Sequence, residues 1–188
     1  LATSAGLIIK NLISGMGGSS LAREQAMSGD SGWIKRCQDA AKSGKLVMSD
    51  GTTKNVDYTS MTHCLNDNEK NINAEIDTRK KAVEDTNSVV KTIEAKNGIT
   101  TDGNFLTGDT VDSQKAAEEM RKQIVSEFGN EIIKDRDGND KKVIEVLGTG
   151  ADADVKGRTA YTYLELRDLY YNLKLRKAGL TGTANGEV

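Results

Sequence analysis

Proline is missing from all 188 residues. At the usual ~5%, about nine would be expected. The chain therefore does without the residue that removes a backbone donor and breaks helices. Long helices, or continuous backbone pairing between subunits, would both account for that. Turn chemistry falls instead to 19 glycines, gathered between the periodic segments.

Histidine occurs once and cysteine twice. With one histidine, most acid–base chemistry would fall to carboxylates or lysine, and nothing in the sequence singles out any of the 28 acids. Neither a phosphate-loop pattern, a G-x-S-x-G elbow nor an H-E-x-x-H pair occurs. The glycine-rich stretches "SGMGGSS" and "GTGADADVKG" read as connectors. Charge is balanced, with 26 basic and 28 acidic side chains and a net of −2. A nucleic-acid-binding domain would be basic, so no nucleic-acid partner is expected. An anionic membrane surface is disfavoured on the same ground.

Long apolar runs are also lacking. "LATSAGLIIKNLIS" has Leu7-Ile8-Ile9 as its longest unbroken run, against the ~20 residues of a membrane span. No membrane span is expected. The stretch also lacks the basic start and long apolar core of a signal peptide. A chain that begins at Leu1 is expected to be a processed form or a fragment. Apolar residues make up 36%, below the usual ~45–50%, so the core should be modest or drawn out. The length suits one domain, residues 1–188.

Residues 1–20 have Leu7, Ile8, Leu12 and Met16 near helical spacing, followed by a glycine-rich connector. The apolar face of such a helix must be covered, by its own domain or by a neighbouring subunit. Two short helices follow, over 21–28 and 31–43. In the second, Trp33, Cys37, Ala40 and Ala41 share one face, and Gly44 suits a C-cap. "KLVMSDGTTKNVDY" predicts a β-hairpin of Lys45–Met48 and Thr53–Tyr58 around Asp50-Gly51, since Asp-Gly is a strong hairpin signal.

The longest element is expected to run from Ser60 to Lys96. Ile72, Ile76, Val83, Val90 and Ile93 recur in steps of 3, 4 and 7, with Arg79 and Thr86 at the other seam positions. That is a helical period along one narrow stripe, coiled-coil-like in spacing. Another helix is expected from about Ser113 to Phe128, with Asp112 as N-cap and a stripe of Ala117, Met120, Ile124 and Phe128. A second hairpin should place Ile132–Ile133 opposite Val143–Val146 around Asp137-Gly138. The last helix should span Arg158 to Ala178, with Gly179 as C-cap and residues 180–188 a loose tail. No internal repeat stands out. The fold class is mainly α, an elongated helical stem or bundle with two inserted β-hairpins.

The stretch "YTSMTHCL" places His63 beside Cys64. Neighbours i and i+1 diverge on a helix and point to opposite faces of a strand. Adjacency therefore argues against a nucleophile–base pair of these two, and only Cys37 could approach His63 productively. Zinc needs four ligands, and one His with two Cys is one short. A disulfide between Cys37 and Cys64 needs only an oxidising compartment. It would contribute roughly 3 kcal/mol on the chain-entropy model. "DRDGND" at Asp135–Asp140 opens like a calcium loop, but Asp140 stands where the sharp-turn glycine belongs and Val146 where the closing acid does. It reads as a polar hairpin turn. No cofactor, metal or catalytic residue is expected.

The last helix is apolar or aromatic around most of its circumference. Tyr163, Leu166, Tyr170 and Leu173 form one stripe; Leu164, Tyr171 and Leu175 form a second. Such a helix is buried on several sides, and tyrosine is enriched at interfaces. Leu7, Ile8, Leu12, Tyr163, Leu166, Tyr170, Tyr171 and Leu173 are therefore the candidate partner-binding residues. The expected function is non-enzymatic: a self-associating subunit of an extracytoplasmic assembly, such as a surface filament, secretion apparatus or virus particle. Its partners would be copies of itself or other subunits. The alternative is a soluble protein-binding or adaptor domain acting through the long helix.

Overall fold

A computed structural model describes residues 18–98, 111–148 and 161–180. Seven helices and two antiparallel hairpins occur among them: α1 (Gly18–Met27), α2 (Trp33–Ser43), β1 (Lys45–Val47), β2 (Thr53–Asn55), α3 (Met61–Asp67), α4 (Glu69–Lys96), α5 (Val111–Phe128), β3 (Ile132–Lys134), β4 (Asp140–Lys142), α6 (Val143–Leu147) and α7 (Tyr163–Lys177). The fold is mainly α with two small hairpins, as the periodicity predicts. The described residues divide into two compact units, one taking in residues 18–85 with 174–180, the other residues 86–98, 111–148 and 161–173. Among the described residues no helix is long and apolar enough to cross a membrane.

In the first unit, α1 takes up Gly18, Ser19 and Ser20, which the sequence assigns to a connector. Its Leu21, Ala22 and Ala26 are buried. Gly32 starts α2. A Cβ there would lie 2.3 Å from the Ser28 carbonyl oxygen, so only glycine fits the close approach. α2 buries Trp33, Arg36, Cys37 and Ala40, the i, i+3, i+4, i+7 set of one helix face. Gly44 ends it in the left-handed conformation, φ 74°. The hairpin pairs Lys45 with Asn55, Leu46 with Lys54 and Val47 with Thr53. Leu46 alone of these six is buried, and it packs into the cluster of Ala22, Ala26, Trp33, Cys37, Ala40, Cys64, Ile72 and Ile76.

The helix expected from Ser60 to Lys96 is two helices. Ser60 caps α3 by accepting the His63 N–H at 3.0 Å. The break falls at Asn68, φ −103° and ψ 17°. Its side-chain amide donates to the Cys64 carbonyl at 2.8 Å and to the Tyr58 hydroxyl at 3.1 Å. A short amide competing locally for backbone is a common reason for a helix to stop. Beyond it α4 runs 28 residues. Its buried positions include Ile72, Ile76, Arg79, Val83, Thr86, Val90 and Ile93, which are the seam positions of the periodic pattern, polar members included.

In the second unit, α5 begins at Val111, placing Asp112 inside the helix rather than ahead of it. Its buried stripe is Ala116, Met120, Ile124 and Phe128; Ala117 is only half-buried. β3 pairs with Asp140–Lys142, Ile133 facing Lys141. Val143–Val146, expected as the return strand, lies in helix α6 instead. The tight turn brings the chain back three residues earlier, and Glu145 then accepts the Lys142 N–H at 3.3 Å, an N-terminal helix contact. α7 starts with a reciprocal cap: Glu165 N–H donates to Thr162 Oγ1 at 3.1 Å, and Thr162 N–H to Glu165 Oε1 at 3.0 Å.

The end of α7 belongs to the first unit. Leu180 N–H donates to Leu175 O and Gly179 N–H to Arg176 O, both at 3.0 Å, a Schellman motif with Gly179 at φ 94°. Leu180, expected to open a loose tail, is buried.

Candidate functional site

The sequence questions converge on α2 and α3. Cys37 and Cys64 form the disulfide, with Cα atoms 5.5 Å apart and neither residue exposed. His63, next in the chain, points elsewhere. Its Nδ1 accepts the Thr59 N–H at 3.2 Å, and its ring meets Tyr58 edge-on at 5.1 Å. Tyr58 in turn donates to Asp67 Oδ2 at 2.6 Å. The "YTSMTHCL" stretch is thus a helix start with half a cystine on its inner face and a capping histidine on its outer one.

Against Trp33, one turn before Cys37 on α2, lies a densely bonded carboxylate of α4. Glu75, 2% exposed, accepts from Trp33 Nε1 at 3.1 Å, from Arg36 NH2 at 3.0 Å and from the Ser49 hydroxyl, all at Oε1. Its Oε2 accepts from Arg79 Nε at 2.8 Å. Arg36 stacks over the Trp33 ring at 4.1 Å and donates to the Val47 carbonyl at 2.9 Å. Arg79 reaches Gln25 at 3.2 Å. Glu75 and Arg79 of α4 thereby tie together α1, α2 and the first hairpin. Burial pulls the Arg36 pKa down, and the Glu75 charge opposes that. A carboxylate offers about four acceptor sites, and Glu75 has four donors. Three of the four converge on Oε1, so the carboxylate is held firmly in place from α2 and the hairpin turn. An open groove of about 250 Å³ lies over it, lined by Met48, Ser49, Asn71 and Thr78 among others.

The second unit repeats the chemistry with different parts. Glu94, 1% exposed, accepts from Tyr163 OH and Arg167 NH1, both at 2.9 Å. Arg167 lies 5.0 Å from the centre of the Tyr163 ring. Burial drives the Tyr163 pKa up and the Arg167 pKa down. Beside them Asp168 is 6% exposed. Burial raises its pKa to about 8, against the pull of Arg167. Its contacts with Asn172 come from the amide, which donates to the Asp168 carbonyl at 2.9 Å and to Oδ1 at 3.4 Å.

No family model, curated protein or solved structure matches the chain. What its residues can do rests on this geometry alone.

Of the candidate partner residues, Leu7, Ile8 and Leu12 lie outside the described residues. Tyr163, Leu166, Tyr170, Tyr171 and Leu173 are each 3% exposed or less. Tyr170 donates to Glu127 at 2.6 Å and meets the Phe128 ring edge-on at 5.7 Å. In this packing none of the five is available to a second copy. The "DRDGND" stretch is a turn: Asp135 Oδ1 accepts the Asp137 and Asn139 N–H groups at 2.9 Å, and Oδ2 pairs with Lys141 at 3.3 Å. Those backbone bonds, foremost the one from Asn139, hold the Asp135 pKa down.

The buried charges Arg36, Glu75, Glu94, Arg167 and Asp168 are not singled out by the sequence. It carries one signal for two of them. A helix as apolar all round as α7 has no solvent face left, so its Arg167 and Asp168 must lie inside.

Proposed function

We propose that this chain is a non-enzymatic structural subunit of an assembly outside the cytoplasm. The observation that carries the reading is the cystine, fully enclosed between α2 and α3. Such bonds form and persist in oxidising compartments. The side chains that could bear chemistry support it too. Both thiols are spent on each other, His63 Nδ1 holds a backbone amide, and Glu75 is buried and engaged by four donors of its own unit. Contact with other subunits is assigned to the apolar N-terminal stretch through Leu7, Ile8 and Leu12, whose spacing gives one apolar face. A surface filament, a secretion apparatus and a virus particle are the kinds of assembly that fit.

The adaptor reading needs an exposed apolar stripe on the long helix. The seam of α4 is buried within the chain, so that reading has less to stand on. The test is native mass spectrometry of the complete chain against its Leu7→Asp/Leu12→Asp variant at matched concentration. A multimer that falls to monomer, with far-UV dichroism unchanged, supports the proposal. A chain that is monomeric in both forms overturns it.

A further inference from the structure

The two hairpins match more closely than their sequences suggest. β1 and β3 correspond at a step of 87 residues, Lys45 to Ile132, and β2 and β4 at the same step, Thr53 to Asp140. No gap is needed between. Met48 N–H donates to Thr52 O at 2.7 Å, and Asp135 N–H to Asn139 O at 2.9 Å. Gly51 N–H donates to Met48 O at 3.0 Å, and Gly138 N–H to Asp135 O at 3.0 Å. Val56 N–H donates to Gly44 O at 2.9 Å, and Val143 N–H to Glu131 O at 2.8 Å. The turn glycines sit at φ 91° and 85°.

The correspondence extends into the preceding helices. Trp33 matches Met120, Cys37 matches Ile124 and Leu46 matches Ile133, all six essentially unexposed. In sequence the trace is faint: "DGTTKNV" against "DGNDKKV", with Asp, Gly, Lys and Val shared at equal spacing. A hairpin of this shape can arise by chance. Equal burial at three further positions, two of them on the preceding helix and all at the same step, is a stronger coincidence to require.

We infer that the chain contains two copies of one helix–hairpin module, Trp33–Val56 and Met120–Val143, with interchangeable hairpins. The copies differ at the helix end, where α2 runs to Ser43 and α5 stops at Phe128, and again at the shared valine, from which the first runs five residues on to α3 while Val143 is already the start of α6. They also differ in their fastening. The first copy carries Cys37 and Arg36 where the second has Ile124 and Gln123. The cystine and the Glu75 cluster are therefore reinforcements of one copy, and the module itself folds without them.

The test is hairpin exchange in the full chain. Lys45–Val56 is replaced by the sequence of Ile132–Val143 in one variant, and the reverse is made in another. A control carries the same insert slipped by one residue, which turns its buried side chain outward. The exchanged chains are expected to keep one cooperative thermal transition, within about 10 °C of the parent, while the slipped control loses it. Exchanged chains that behave like the slipped control overturn the inference. A milder pair, Leu46→Ile and Ile133→Leu, guards against trivial misfolding; each should lower Tm by no more than about 5 °C. A loss of cooperativity in either would also overturn it.

Discussion

Asp168 sets up the sharpest stability test. Its carboxyl is enclosed on a helix that has almost no exposed face, and burial raises its pKa from 3.8 to about 8. In the unfolded chain it ionises near pH 4; in the folded chain it stays protonated until about pH 8. Across that window the unfolded state binds fewer protons, so stability falls as pH rises. Each tenfold difference in proton affinity between the two states is worth about 1.4 kcal/mol at full effect. Allowing for relaxation around the site, the folded protein gives up about 2–5 kcal/mol by pH 8. Asp168→Asn keeps the shape and cannot ionise. It should raise stability by that amount near pH 8, or about 5–15 °C in Tm for a chain of this size, and the gain should shrink toward zero near pH 4. Urea unfolding of both proteins from pH 4.5 to 9, followed by far-UV dichroism, measures the difference directly. If the two stability curves run parallel across this range, the carboxyl is not held neutral in the interior and the reasoning fails.

Glu75→Leu should cost about 3–5 kcal/mol in urea unfolding, because it leaves the charges of Arg36 and Arg79 buried without a carboxylate; a neutral result would show that the cluster is not buried as described. Replacing Cys37 and Cys64 together by alanine should leave the helical dichroism intact and remove roughly 3 kcal/mol of stability, read from the urea midpoint. Gly32→Ala should lower Tm measurably, since its Cβ would meet the Ser28 carbonyl at 2.3 Å, whereas Ser43→Ala, at the exposed end of the same helix, should change little.

The helices are legible wherever one face repeats. The α4 seam is the best case: Arg79 and Thr86 stand at apolar positions of the pattern, and both are fully buried. The first hairpin is legible from Asp50-Gly51. The second is legible only in part, because Val143–Val146 looks like β sequence and the turn geometry alone shows that the ladder ends at Lys142. Asn68 breaks a helix through a side-chain bond to Cys64 O, which no period can register. The count of two thiols favours the cystine, but two separate buried thiols fit it too, and the pairing of Cys37 with Cys64 is seen only in the structure. The charged interior does not, since 28 acids look alike until partners 39 to 73 residues away are placed beside them. The tyrosines of α7 suit core and interface equally well in sequence, and the structure accounts for them as core.

We propose a cystine-stapled structural subunit that works outside the reducing cytoplasm. The most direct test is the intact native mass of protein taken from its natural compartment, with thiol alkylation after unfolding but before reduction. A subunit of this kind should take no alkylation until reductant is added, two labels afterwards, and should appear as a multimer in the native spectrum. Two labels before reduction, on a monomer, would contradict it.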